Sequence, residues 1–144
     1  MPAPSPRPPA SRLRCGCAGW SLPAAVRDAF GAGDSVLQRY ATRFDAVEIN
    51  SSFYRPHRPA TYARWADSVP ADFRFSVKLP RSITHDARLY RTGALLDAFL
   101  AEAGALGERL GRLLVQLPPS LAFDPRLAST FFRMLRRRWP GGVA

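Results

Sequence analysis

A chain of 144 residues, 47% hydrophobic and 22% charged, holds enough apolar surface for one domain with a core, which excludes wholesale disorder. No run approaches the roughly 18 uninterrupted apolar residues of a membrane span, and no apolar leader segment opens the chain, so a cytoplasmic protein is expected. The formal net charge of +10 admits a polyanion partner, yet the cations are scattered arginines, Lys78 being the sole lysine and Arg136 to Arg138 the only contiguous run. A basic binding module for nucleic acid is therefore the alternative reading, and a solvated basic surface the favoured one.

In chain order, residues 1–11 (MPAPSPRPPAS) alternate proline with small residues, which removes backbone donors and predicts a disordered tail. Arg12 to Cys17 reads as a strand. Cys15 and Cys17 then share one face, too strained to bridge and without a Cys or His pair nearby to complete a metal site, so buried packing of reduced thiols is expected. Ser35 to Arg43 offers Val36, Leu37, Tyr40 and, just beyond, Phe44 at helical spacing. Strands follow at Asp45 to Asn50, Phe73 to Leu79 and Arg112 to Leu117, each rich in β-branched, aromatic or leucine residues. Between them come helices at Pro59 to Asp67 and Ala94 to Leu106, and a last one runs from the Asp124–Pro125 cap to Arg137.

Four repeated βα units predict an α/β fold with a parallel sheet and helices outside. The first turn, GCAGWSLP, has neither the dinucleotide fingerprint nor a Walker lysine, which favours a TIM-type (β/α)8 barrel over an open nucleotide-binding sheet. Four units make half of one, so residues 12–144 read as a half-barrel.

Alternation along the strands sets Glu48 and Asn50 opposite Val47 and Ile49, Ser76 and Lys78 opposite Phe75 and Val77, and Gln116 opposite Val115. The polar rows would face the barrel interior near the carboxyl ends of the strands, where barrel chemistry gathers. Glu48 and Lys78 are expected near enough to pair directly or through Asn50. They are candidate catalytic residues, Glu48 a base and Lys78 a stabiliser of negative charge, with a buried structural ion pair as the competing reading. Ser52, Tyr54, Arg55 and His57 after the second strand and His85 after the third, with Asn50 and Gln116, are candidate contacts to a small anionic or sugar-like ligand. No metal triad can be assembled and no cofactor signature is recognisable.

The segments CGCAGW (15–20), VEINSSFYRP (47–56), TYARWADSVPADFRFSVKLPRSITH (61–85) and LLVQLPPSLAFD (113–124) resemble the YecE-like family, domain of unknown function 72. The resemblance implies a (β/α)8 barrel without an established activity. It sets Glu48, Asn50, Ser52, Phe53, Tyr54, Lys78, Pro80, His85, Gln116 and Pro118 in shared motifs. Cys17 and Ala18 stand where the family usually carries Thr-Ser, and the family continues through four further strands beyond the point reached by PGGVA. A truncated chain is therefore expected: an inactive fragment, a homodimer of half-barrels, or a half completed by a second polypeptide. The fragment is favoured, because nothing in the sequence protects the sheet edges.

Overall fold

The computed structural model describes residues 12–144; the Pro-rich segment 1–11 lies outside them. The strand expected over Arg12 to Cys17 does not form, because side chains take its donors. Cys15 N–H donates to Asp45 Oδ1 (3.1 Å) and Cys17 N–H to the Tyr40 hydroxyl (2.8 Å). The backbone meets the sheet in one bridge, with Glu48 N–H donating to the Cys17 carbonyl and Gly19 N–H to the Glu48 carbonyl, both at 2.9 Å. Gly16 permits the approach, since a Cβ there would run into the Ala46 carbonyl. Both cysteines are free and exposed, which corrects the expectation of buried thiols.

The regular elements are α1 (Ala24–Arg27), α2 (Val36–Tyr40), β1 (Ala46–Ile49), α3 (Pro59–Asp67), β2 (Arg74–Lys78), α4 (Gly93–Ala103), β3 (Leu110–Leu114), α5 (Pro125–Arg138) and β4 (Gly142–Val143). Ser35 opens α2 with a reciprocal capping box to Gln38, while α3 and α5 carry proline in their first turn. Helix α2 stops short of Arg43. The expected 112–117 strand is displaced toward the N-terminus, which leaves Gln116 beyond its end.

The four strands run parallel in the order β1-β2-β3-β4, so the expected α/β fold with a parallel sheet is present. Register sets Glu48 level with Ser76 and Ser76 level with Arg112, and sets Ile49 level with Val77 and Val77 with Leu113. Phe75 pairs with Leu110 but Ser76 with Arg112, so Gly111 is an extra residue that re-phases β3. One face of the sheet is apolar. Val47, Ile49, Phe75, Val77, Leu110 and Leu113 join Tyr62 and Ala66 of α3, Leu96 and Phe99 of α4, and Phe131 and Leu135 of α5 in a continuous buried cluster. Each fully buried Leu or Phe contributes about 1.5–3 kcal/mol, and this layer fixes the sheet against its helices. The other face carries Ala46, Glu48, Arg74, Ser76 and Arg112, all partly or fully exposed. Among the described residues no helix is long and apolar enough to cross a membrane.

Candidate functional site

The carboxyl ends of β1 and β2 lead into tight turns that gather most of the polar candidates. After β1 the chain enters a single 3₁₀ turn at Ser51–Phe53, and after β2 a π-helical turn at Ser82–Asp86. Lys78 closes β2. Its side chain is 9% exposed, the only buried charged residue among those described, and its Nζ stands 4.3 Å from the centre of the Phe53 ring. A cation over an aromatic face gains roughly 0.5–2 kcal/mol, and the buried part of the residue is its aliphatic stem. Among the described residues no carboxylate pairs with Lys78.

The expected Glu48–Lys78 pair is not formed, the Lys78 ammonium being turned onto the Phe53 ring instead. Glu48 is level with Ser76, so Lys78 lies two residues further along the neighbouring strand, past the last paired position of Ile49 with Val77. Two residues of rise and one strand spacing separate the α-carbons by about 8 Å. No hydrogen bond through Asn50 links them either. Glu48 borders a depression of about 240 Å³ together with Cys17, Ala18 and Ser76, one row below Lys78.

Phe53 is shared by a second group. The His85 ring meets it edge-on, with centres 4.9 Å apart and planes at 82°. Thr84 Oγ1 is 2.8 Å from His85 Nδ1, and the Thr84 side chain is itself buried. His85 is half-buried, and its Nε2 has no partner among the described residues.

The remaining candidates separate by role. Ser52 is buried, its Oγ 2.6 Å from the Lys78 carbonyl and 3.0 Å from that of Ile49, so it ties the two strand ends together and does not face a ligand. The neighbouring hydroxyl does face outward: Ser51 Oγ lies 2.8 Å from His57 Nε2. The residue pattern S-S gave no way to choose between them, because the 3₁₀ turn breaks the strand's alternation. His57 packs edge-on against Tyr62 and Trp65, and this burial, helped by the Arg55 charge, holds its pKa below the ordinary imidazole value. Tyr54 and Arg55 are exposed at the rim, Tyr54 touching Phe53 edge-on. Gln116 is exposed past the end of β3, outside this cluster. Trp20 stands against Trp65 and Phe75, and so belongs to the apolar layer.

A larger cavity, about 680 Å³, opens at the opposite, amino-terminal end of the strands and is lined by Arg12, Arg14, Arg74 and Arg112. Most of that charge is engaged. Arg12 pairs with Asp72 (2.7 Å) and Asp45 (3.3 Å), Arg14 donates to the Asp72 carbonyl, and Arg74 donates to the Ala71 and Phe73 carbonyls (both 2.8 Å). Among the described residues no three His, Cys, Asp or Glu side chains are grouped to hold a metal ion.

A family model described as protein of unknown function DUF72 matches residues 14–144. The chain belongs to the DUF72 family. Its relatives include UPF0759 protein YecE of Escherichia coli (strain K12), 36% identical over 107 residues, and UPF0759 protein YunF of Bacillus subtilis (strain 168), 26% identical over 110. The matches cover 74% and 72% of this chain but 37% and 39% of those proteins. Two crystal structures of a DUF72 protein from Enterococcus faecalis V583 superpose with TM-scores of 0.65 and 0.68 at 22% and 24% identity, covering 86% of this chain and 46% of that one. The chain thus spans less than half the length of these DUF72 relatives, and the family itself has no established molecular function.

Proposed function

We propose that the four parallel strands form half of a (β/α)8 barrel, with the uncovered sheet face as its interior, and that the carboxyl-end cluster is one side of a site for a small anionic ligand. Lys78 is the anchor. The observation that carries this reading is a lysine whose stem is buried at the end of β2 and whose ammonium lies against the Phe53 ring with no carboxylate partner among the described residues, which leaves its charge available to an anion. Asn50, the residue that follows β1, is the candidate orienting amide. Glu48, one row below, is the candidate base for an enzyme built on the complete barrel. Tyr54, Arg55 and His57 border the approach, while Gln116 lies past the end of β3, outside it. The reading sets the chain in the cytoplasm, supported by two exposed, unbridged cysteines.

A complete barrel would need further strands at the sheet edges beside β4 and residues 17–19, so the residues described carry one side of the proposed site. Light scattering on the purified chain tests whether two copies supply them: a compact dimer points to a second copy, and an aggregating monomer to an inactive fragment that lacks its other half.

Anion binding is tested by titrating the full chain with inorganic phosphate by calorimetry at low and moderate salt. Lys78→Met is expected to weaken binding at least tenfold, while Arg126→Met on α5 leaves it unchanged. Equal affinity in Lys78→Met and the unaltered chain would remove the proposal.

A further inference from the structure

The Thr84 hydroxyl has one proton and sits in a buried position, with His85 Nδ1 at 2.8 Å as its sole hydrogen-bond partner among the described residues. Two arrangements satisfy the distance. If Nδ1–H donated to Oγ1, the hydroxyl proton would be left buried with nothing to receive it, at a cost of about 1–3 kcal/mol. If the hydroxyl donates to Nδ1, both groups are satisfied and the ring proton must reside on Nε2. The second arrangement wins by that margin, enough to hold the neutral ring largely in one tautomer.

The consequence lies on the other side of the ring. His85 Nε2 is free of protein partners, and His85 stands edge-on to the same Phe53 whose face lies against Lys78 Nζ. One aromatic ring therefore contacts both the imidazole and the ammonium. The π-helical turn at Ser82–Asp86 is what brings Thr84 and His85 to this position directly after β2.

We infer that Thr84 is a positioning residue that holds His85 as the neutral Nε2–H tautomer, and that Nε2–H and the Lys78 ammonium together receive one oxyanion bearing at least two acceptor oxygens, a phosphate or a carboxylate. This rests on the anion site proposed above and specifies the second donor of that site. A neutral N–H donor beside a fixed cation recognises an oxyanion by direction as well as by charge.

Nitrogen-15 NMR of the imidazole rings tests it directly, because the chain has two histidines and His57→Gln assigns the signals. At pH 8, His85 is expected to show a protonated Nε2 and an unprotonated Nδ1, and inorganic phosphate should shift the Nε2 signal. Thr84→Val should yield a mixture of tautomers and several-fold weaker phosphate binding, and Thr84→Ser should restore both. Thr84→Ala removes the hydroxyl without the branched carbon and serves if the valine variant does not fold. A His85 protonated on Nδ1 in the unaltered chain overturns the inference without recourse to any variant. Retention of the single tautomer in Thr84→Val or Thr84→Ala overturns the role of Thr84 and leaves the Lys78 site standing. A fixed tautomer with an Nε2 indifferent to phosphate overturns the shared oxyanion, and if Lys78→Met also leaves phosphate affinity unchanged, the Lys78 site falls with it.

Discussion

Replacing Ser52 by alanine distinguishes a structural hydroxyl from a ligand-binding one. The Ser52 side chain is 2% exposed, and its hydroxyl lies within hydrogen-bond distance of the carbonyls that end β1 and β2, at 3.0 Å from Ile49 and 2.6 Å from Lys78. One proton cannot serve both fully, and the shorter distance assigns it mainly to Lys78. Alanine removes the donor and leaves a carbonyl buried without its partner, which costs about 1–3 kcal/mol. A chain of this size loses roughly 3–4 °C of Tm for each kcal/mol, so the midpoint should fall by roughly 3–12 °C. Thermal unfolding followed by circular dichroism measures the shift, and phosphate titration of the same sample measures the site. Phosphate affinity should stay within about twofold below the transition, since the lost contact is to backbone. An unchanged Tm combined with lost phosphate binding would refute the reasoning and return Ser52 to the ligand.

Two further outcomes follow from local geometry. Asp124 caps α5 by accepting from the Arg126 and Leu127 N–H groups at 2.8 and 3.1 Å, so Asp124→Ala should lower stability by about 0.5–2 kcal/mol, while Asp124→Asn recovers most of it; equal denaturant midpoints for Ala and Asp would show the cap to be idle. For pH, the folded state holds the His57 pKa below its unfolded value through burial against Tyr62 and Trp65 and through Arg55, so the unfolded chain takes up the proton first. Stability present at neutral pH should therefore decline as pH falls below about 6.5 and level off below the folded pKa. Asp72 and Asp97, held low by Arg12 and Arg138, add a second decline as pH falls through about 4 and below. Denaturant midpoints from pH 8 to 3 check both, and a His57→Gln chain that keeps the first decline would assign it elsewhere.

Much of the fold was legible because its signals are local. Alternation over 73–79 and the apolar spacing of 94–106 survive as β2 and as α4 with the turn that follows, since a face that must be buried leaves the same pattern wherever it packs. The pattern failed where the backbone's partner was a side chain. Cys15 and Cys17 read as strand residues, but Asp45 and Tyr40 intercept their N–H groups, and spacing along the sequence does not encode that contact. The β3 boundary moved for a related reason: Gly111 inserts an extra residue, and the re-phased strand ends before Gln116.

The site was legible to the level of residue type and strand end, and illegible at the level of register. Period-two alternation correctly grouped Glu48, Ser76 and Lys78 on one face, but it is silent about how far one strand slides past the next. A shift of two residues is invisible to it and separates the α-carbons of Glu48 and Lys78 by about 8 Å. That slide changes the chemistry. With Glu48 beside it, Lys78 would be neutralised within the fold and have little reason to meet an anion. Set over Phe53, it keeps a charge with no carboxylate partner among the described residues, beside the turn that carries Thr84 and His85, and that unpaired charge is the ground for the anion site proposed above.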